Sequence, residues 1–158
     1  MKEIVLARID DRLIHGQVMT SWLNYTSANK IIVVDDLVVQ DAFMTTIMKT
    51  CLPANIAFEI FGVEDGSEKL KNGLTDKDRV ILLVKYPKTI LEMMEKGVQF
   101  EKLNIGGMGA GGARKKFYKN ISASDEEKEI LKSIIGKGCK VEIQIIAEDK
   151  AIDVAKLV

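Results

Sequence analysis

Short apolar runs alternate with longer amphipathic stretches along the whole chain. Six runs, at about 3–9, 30–35, 55–61, 79–85, 102–105 and 140–146, are predicted as β-strands. Most are continuously apolar, as in Ile31-Ile32-Val33-Val34 and Val80-Ile81-Leu82-Leu83-Val84. Strands of that kind are buried on both faces, as in a parallel sheet covered by helices. Helical spacing fills the intervals. Phe43, Met44, Ile47, Met48 and Cys51 form one apolar stripe, ended by Pro53. Pro87 suits the first turn of a helix carrying Ile90, Leu91 and Met94. Ser124-Asp125-Glu126-Glu127 reads as a capping box before Ile130, Leu131, Ile134 and Ile135. The alternation predicts the α/β class: one domain over 1–158, an open, mainly parallel sheet flanked by helices on both faces. Residues 106–123, glycine-rich and then basic, are the least regular part.

Composition narrows the function classes. The chain has 158 residues, 47% hydrophobic and 29% charged, with Lys+Arg and Asp+Glu both at 23. Such a balance sets up no net field toward nucleic acid or an anionic membrane. No apolar run approaches the roughly 20 residues that span a bilayer, and the amino terminus enters a strand without a secretion signal. Cys51 and Cys139 form no CxxC, and a single histidine cannot complete a zinc set. The expectation is a reduced, cytoplasmic protein with no metal and no cofactor.

That single histidine is the most informative residue. His15 stands in Arg8-Ile9-Asp10-Asp11-Arg12-Leu13-Ile14-His15-Gly16-Gln17-Val18, between a predicted strand and a helix marked by Val18, Met19, Trp22 and Leu23. Turns at the carboxyl ends of strands are where open α/β sheets bind ligands. A neutral imidazole can attack phosphorus in line, and its reference pKa of about 6.5 keeps much of it neutral near pH 7. Phosphoryl transfer is catalysed mainly by positioning and cationic stabilisation. The chain has only four arginines, and two of them, Arg8 and Arg12, flank this turn. Their planar forks suit phosphate. Asp10 or Asp11 either orients the second ring nitrogen or pairs with an arginine. The competing interpretation is a solvated surface turn whose charges pair with each other.

Two further features are weaker. Gly107, Gly109 and Gly112 fit GxGxxG, but the segment after them reads as strand or loop instead of the helix a dinucleotide site requires. A mobile loop closing over an anion near His15, or a plain surface loop, fits better. Asp35-Asp36 ends the second predicted strand, where it could cap the next helix or receive a partner's basic surface.

The His15 stretch closely resembles the phosphorylation-site motif of IIB components of the mannose/fructose/sorbose family of the bacterial phosphoenolpyruvate-dependent sugar phosphotransferase system. The likeness extends through Ile32-Val33-Val34-Asp35-Asp36, Leu103-Asn104-Ile105-Gly106-Gly107-Met108, Arg114-Lys115 and Val141-Glu142-Ile143-Gln144. The resemblance implies that His15 accepts a phosphoryl group, on the Nδ1 side, from a phosphohistidine of a IIA protein. It implies onward transfer to a sugar held by IIC/IID membrane components, with the chain transiently at the inner face of the cell membrane. Arg8 and Arg12 would bind the phosphoryl group and Asp10 would shape its loop. Asp11, Asp35, Gly106, Gly107 and Arg114 would be supporting residues. Two departures from the family pattern are Ala113 before Arg114, where glycine is frequent, and Ile146-Ala147-Glu148, where a proline commonly follows the last strand.

Overall fold

The computed structural model describes residues 3–158. All six predicted strands form, each within a few residues of its expected bounds: β1 (Ile4–Asp10), β2 (Lys30–Val34), β3 (Ala57–Phe61), β4 (Val80–Val84), β5 (Lys102–Gly107) and, numbered after a later hairpin, β8 (Lys140–Ile143). The hairpin strand β6 (Lys115–Tyr118) lies in the segment that reads as strand or loop, while its partner β7 (Ile121–Ala123) and the two-residue β9 (Ile152–Asp153) are not among the predicted strands. Five α-helices connect them: α1 (Gly16–Thr26), α2 (Ala42–Thr50), α3 (Val63–Asn72), α4 (Pro87–Glu95) and α5 (Asp125–Gly136).

The main sheet has seven strands in the order β3-β2-β4-β1-β5-β8-β9, parallel except for β9. Two apolar layers flank it. One joins α3, α4 and α5 through Leu70, Ile90, Met93, Leu131 and Ile134 to Ile9, Ile32, Leu82 and Ile105. The other joins α1 and α2 through Met19, Trp22, Leu23 and Met48 to Ile31, Val33, Ile81 and Leu83. Every residue of β4 is fully buried, which accounts for its unbroken apolar run. Since α1 leaves β1 on one face and α4 leaves the adjacent β4 on the other, the crevice between their carboxyl ends is the topological switch point of the sheet.

Helix ends follow their local chemistry. Pro87 opens α4. Ser124 and Glu127 make the reciprocal capping box of α5. The apolar stripe of α2 is buried less than its spacing suggests: only Met48 is in the core, while Phe43, Met44 and Ile47 are exposed.

Glycine 106 belongs to β5 and is required sterically. A Cβ there would lie 1.9 Å from the Arg8 guanidinium carbon, whereas one at Gly136, the last residue of α5, would meet nothing within 4 Å. Gly106→Ala is therefore expected to cost about 2–3 kcal/mol in chemical denaturation. Gly136→Ala should be neutral or stabilise by up to about 1 kcal/mol. Equal stabilities for the two variants would show that the Arg8 side chain moves aside freely.

Candidate functional site

Strand β1 carries Ala7 and Ile9 into the α3–α5 layer, so Arg8 and Asp10 point to the opposite face. The chain then turns sharply: Leu13 N–H donates to the Asp10 carbonyl (2.9 Å), and Leu13 has a left-handed backbone (φ 58°). That conformation is costly for leucine. It is held by burying Leu13 and Ile14 in the α1–α2 layer. His15 follows and is exposed, in extended conformation, as the N-cap residue of α1.

The start of α1 has no side-chain acceptor, a feature it shares only with α4 among the five α-helices, where Pro87 occupies the first turn. His15 supplies no side-chain cap, and no acidic residue lies in the first turn. By contrast, Asp41 caps α2, Ser124 caps α5, and the Asp36 carboxylate accepts from Val63 N–H at the start of α3 (2.8 Å). The first N–H groups of a helix carry partial positive charge and seek acceptors. At α1 they remain open to an anion bound on or near His15.

Asp10 organises the turn. Its carboxylate accepts from Arg12 N–H (3.0 Å), Arg12 Nε (2.9 Å), Arg12 Nη2 (2.8 Å) and Arg8 Nη2 (3.3 Å). Burial pushes this carboxyl up. The hydrogen bonds from Arg12 and the charges of Arg8 and Arg12 outweigh that and leave it below the usual carboxylate range. Of the sequence-based alternatives for Asp10, the ion pair is the one formed.

Arg8 does not face outward, as expected of a phosphate ligand. It is fully buried. Nη1 donates to Asn104 Oδ1 (2.6 Å) and to the Gln144 carbonyl (2.9 Å), and Nη2 donates to the Ile145 carbonyl (2.9 Å) as well as to Asp10. The guanidinium also lies 5.4 Å from the Trp22 ring centroid. Burial lowers its pKa to about 10 against the opposing influence of Asp10, so it stays charged at neutral pH. Its position alternates with Ala7 and Ile9 in a central strand, and this directs it into the protein instead of toward the turn.

Arg12 is the accessible cation, with its side chain 41% exposed. Nε and Nη2 are spent on Asp10, while Nη1 makes no hydrogen bond among the described residues. A depression of about 210 Å³ beside it is lined by Asp11, Gly107, Gly109 and Asn120.

The supporting residues fall into two groups. Gly106 and Gly107 make room for the charged cluster: a Cβ on Gly107 would lie 2.4 Å from Asp10 Oδ1. Asp11 accepts from Gly109 N–H (2.8 Å) and from Arg114 Nη1 (3.1 Å), and Arg114 also grips Glu127 through Nε and Nη2 (2.9 and 3.0 Å). The 108–114 segment is thus tied to the turn through Gly109 and Arg114. It leads into the β6–β7 hairpin, so the glycine pattern has no helix to make a dinucleotide site. Asp35 is a buried turn residue whose Oδ1 accepts from Leu37 and Val38 N–H (both 2.9 Å). Sequence reasoning missed Asn104, Gln144 and Trp22 as partners of the site. The available signal was Asn104 itself, a polar residue between Leu103 and Ile105 in a buried strand.

Fold and site together define a doubly wound α/β protein with one exposed histidine on an anion-ready helix start at the switch point. Comparison with known proteins gives the family. The family model described as "PTS system sorbose subfamily IIB component" matches residues 4–158. The fructose-specific EIIB component of Bacillus subtilis is 31% identical over 157 residues, covering 99% of this chain and 96% of that protein. The mannose-specific EIIAB component of Escherichia coli K12 is 30% identical, and this chain spans 48% of its length. The crystal structure of the IIBSor domain of the sorbose permease from Klebsiella pneumoniae superposes with a TM-score of 0.91 at 31% identity, covering 97% of this chain and 94% of that one. The chain belongs to the IIB components of the mannose/fructose/sorbose family of the sugar phosphotransferase system.

The Asp10 geometry makes a stability prediction. Because its folded-state pKa is depressed, its contribution is fully present above the unfolded value of about 3.9 and is lost as pH falls through the lower folded value. Asp10→Asn leaves two arginines facing each other, one of them buried, and should cost about 3–5 kcal/mol at pH 7. In urea titrations its deficit relative to wild type should shrink below about pH 3.9. A deficit that does not change with pH would show that the carboxylate charge is not what holds the turn.

Proposed function

We propose that His15 accepts a phosphoryl group from a phosphohistidine of a IIA protein and passes it to a sugar being taken up through IIC/IID membrane components. The chain would act as a protein-N-phosphohistidine–sugar phosphotransferase. The observation that carries this reading is the placement of His15: exposed, at an uncapped helix start, in the turn that also carries Arg12. The mannose-specific EIIAB component of E. coli supports a IIA partner, since this chain matches about half of that protein.

In the first step an unprotonated His15 ring nitrogen attacks phosphorus, a P–N bond forms, and the donor's P–N bond breaks as its imidazole becomes the leaving group. In the second step a sugar hydroxyl attacks the same phosphorus. The His15 P–N bond then breaks and the hydroxyl proton is released to the freed imidazole or to a neighbouring base. Charge in each transition state is spread over three equatorial oxygens. Arg12, with its free Nη1, and the open N–H groups of α1 would be the donors that meet it, a role supported by their place at the two ends of the same turn. Among the described residues no group of three or more His, Cys, Asp or Glu could hold a metal ion. No helix among them is long and apolar enough to cross a membrane, and the sugar is assigned to the membrane partners.

Intact-mass spectrometry after incubation with phosphoenolpyruvate, the general phosphotransfer proteins and a IIA partner tests the reading. Wild type should gain one acid-labile phosphate and His15→Ala none, with its fold unchanged. Uptake of phosphate by His15→Ala would assign the acceptor elsewhere. Arg12→Ala should slow transfer by about 10²–10³, the loss typical of one preorganised donor.

A further inference from the structure

The 144–149 segment is distant in sequence from the His15 turn but is bonded in three places to the elements around it, β1, α1 and β5. The Ile145 carbonyl accepts from both Arg8 Nη2 (2.9 Å) and Trp22 Nε1 (3.0 Å). The Gln144 carbonyl accepts from Arg8 Nη1 (2.9 Å) and from Asn104 Nδ2 (3.1 Å). The Ser21 hydroxyl accepts from Ala147 N–H (3.2 Å) and donates to Glu148 (3.0 Å). Gln144 Nε2 donates to the Ala147 and Asp149 carbonyls, which closes the segment on itself.

These contacts converge on Arg8. In the parallel register of β1 and β5, Arg8 lies directly opposite Asn104. One face of the guanidinium lies over Trp22, and Gly106 leaves no space for it to shift on the β5 side. Buried and bonded in this way, Arg8 has a single orientation, and in it the remaining Nη2 hydrogen bond goes to Asp10. Asp10 in turn takes Nε and Nη2 of Arg12, which fixes the direction of the free Nη1.

We infer that Asn104, Trp22 and the Gln144–Ile145 carbonyls are positioning groups for phosphoryl transfer: they hold Arg8, which holds Asp10, which aims Arg12. None of them touches the phosphoryl group. This inference rests on the phosphoryl reading of His15 for its consequence in catalysis, but the ordering of Arg12 can be observed without any phosphate. Misplacing a reacting partner by about 1 Å costs up to about 10²-fold in rate. Loosening one strut of a chain with several should cost less, about tenfold.

The test uses two variants of the whole chain. Trp22→Phe removes the indole N–H and leaves a smaller aromatic ring, and Asn104→Leu removes the Oδ1 acceptor for Arg8 and the Nδ2 donor to the Gln144 carbonyl while keeping a side chain branched at the same atom. Nitrogen-15 spectra report the arginine Nε–H signals, with Arg12 assigned by its disappearance in Arg12→Lys. In wild type the Arg12 Nε–H should exchange slowly with solvent, and in each folded variant about tenfold faster. Transfer from phosphorylated IIA should slow by a similar factor at saturation, with the half-saturating IIA concentration unchanged. Unchanged Arg12 exchange in both variants, or wild-type transfer rates in both, would overturn the inference. Failure of wild type to take up phosphate would overturn the phosphoryl reading alone, and the exchange measurement would still decide whether these groups order Arg12.

Discussion

The buried ion pair of Arg8 and Asp10 is the constraint around which the molecule is arranged. Taking a guanidinium and a carboxylate out of water costs several kcal/mol per ion, and their attraction offsets this only when the remaining donors and acceptors are also satisfied. Asn104, two carbonyls of the 144–149 segment and Arg12 provide those partners, leaving only Arg8 Nε without one among the described residues. Two glycines at the end of β5 exist in that place because a side chain there would collide with the pair. The pair therefore dictates the sequence of β5, the path of the C-terminal segment and the shape of the His15 turn.

A hydrophobic pair of the same volume could fill the site at equal or better stability, since buried ion pairs seldom add net stability. What such a replacement would lack is a buried acceptor for Arg12. Asp10 is wedged between one buried arginine and one part-exposed arginine, and by taking Nε and Nη2 of Arg12 it restrains a long, otherwise flexible side chain. Hydrogen bonds with ionised partners are short and orientationally demanding, and planar guanidinium–carboxylate contacts transmit direction as well as charge. The same logic holds on the other side of the turn, where Asp11 links Gly109 and Arg114, and Arg114 is braced by Glu127 in the capping box of α5.

Much of the fold was legible because it depends on local or periodic signals. The five apolar residues of β4, Pro87 at the start of α4 and the Ser124–Glu127 box each specify their element nearly alone. The β6–β7 hairpin was harder to read: Lys115 and Lys116 are exposed, and only Ile121–Ala123 is buried, which is too short a run to show a period. The two-residue β9 leaves still less of a pattern. At the site, the motif Arg8-Ile9-Asp10-Asp11-Arg12 advertises charge but not direction. Which arginine is buried follows from strand alternation relative to Ala7 and Ile9, and from the placement of Asn104 opposite Arg8, a relation between residues 96 positions apart. Sequence adjacency made the two arginines look equivalent, and tertiary register makes them different.

That difference bears on what a phosphoryl carrier requires. A group that grips the phosphorylated ground state as firmly as the transition state does not speed transfer. Two arginines free to close on a phosphohistidine would hold it strongly, and each would need to release it to the next acceptor. With Arg8 withdrawn into the core, the phosphoryl group on His15 would meet one half-exposed arginine and the amides of an uncapped helix. Those amides have a stability cost of their own, since a missing N-cap typically forfeits about 1 kcal/mol. Carboxylates or a hydroxyl meet the starts of α2, α3 and α5, and α4 has no side-chain cap but opens on Pro87, so α1 is the open start that lies beside the only histidine. A stability defect placed there is consistent with a site that must take up an anion and then let it go.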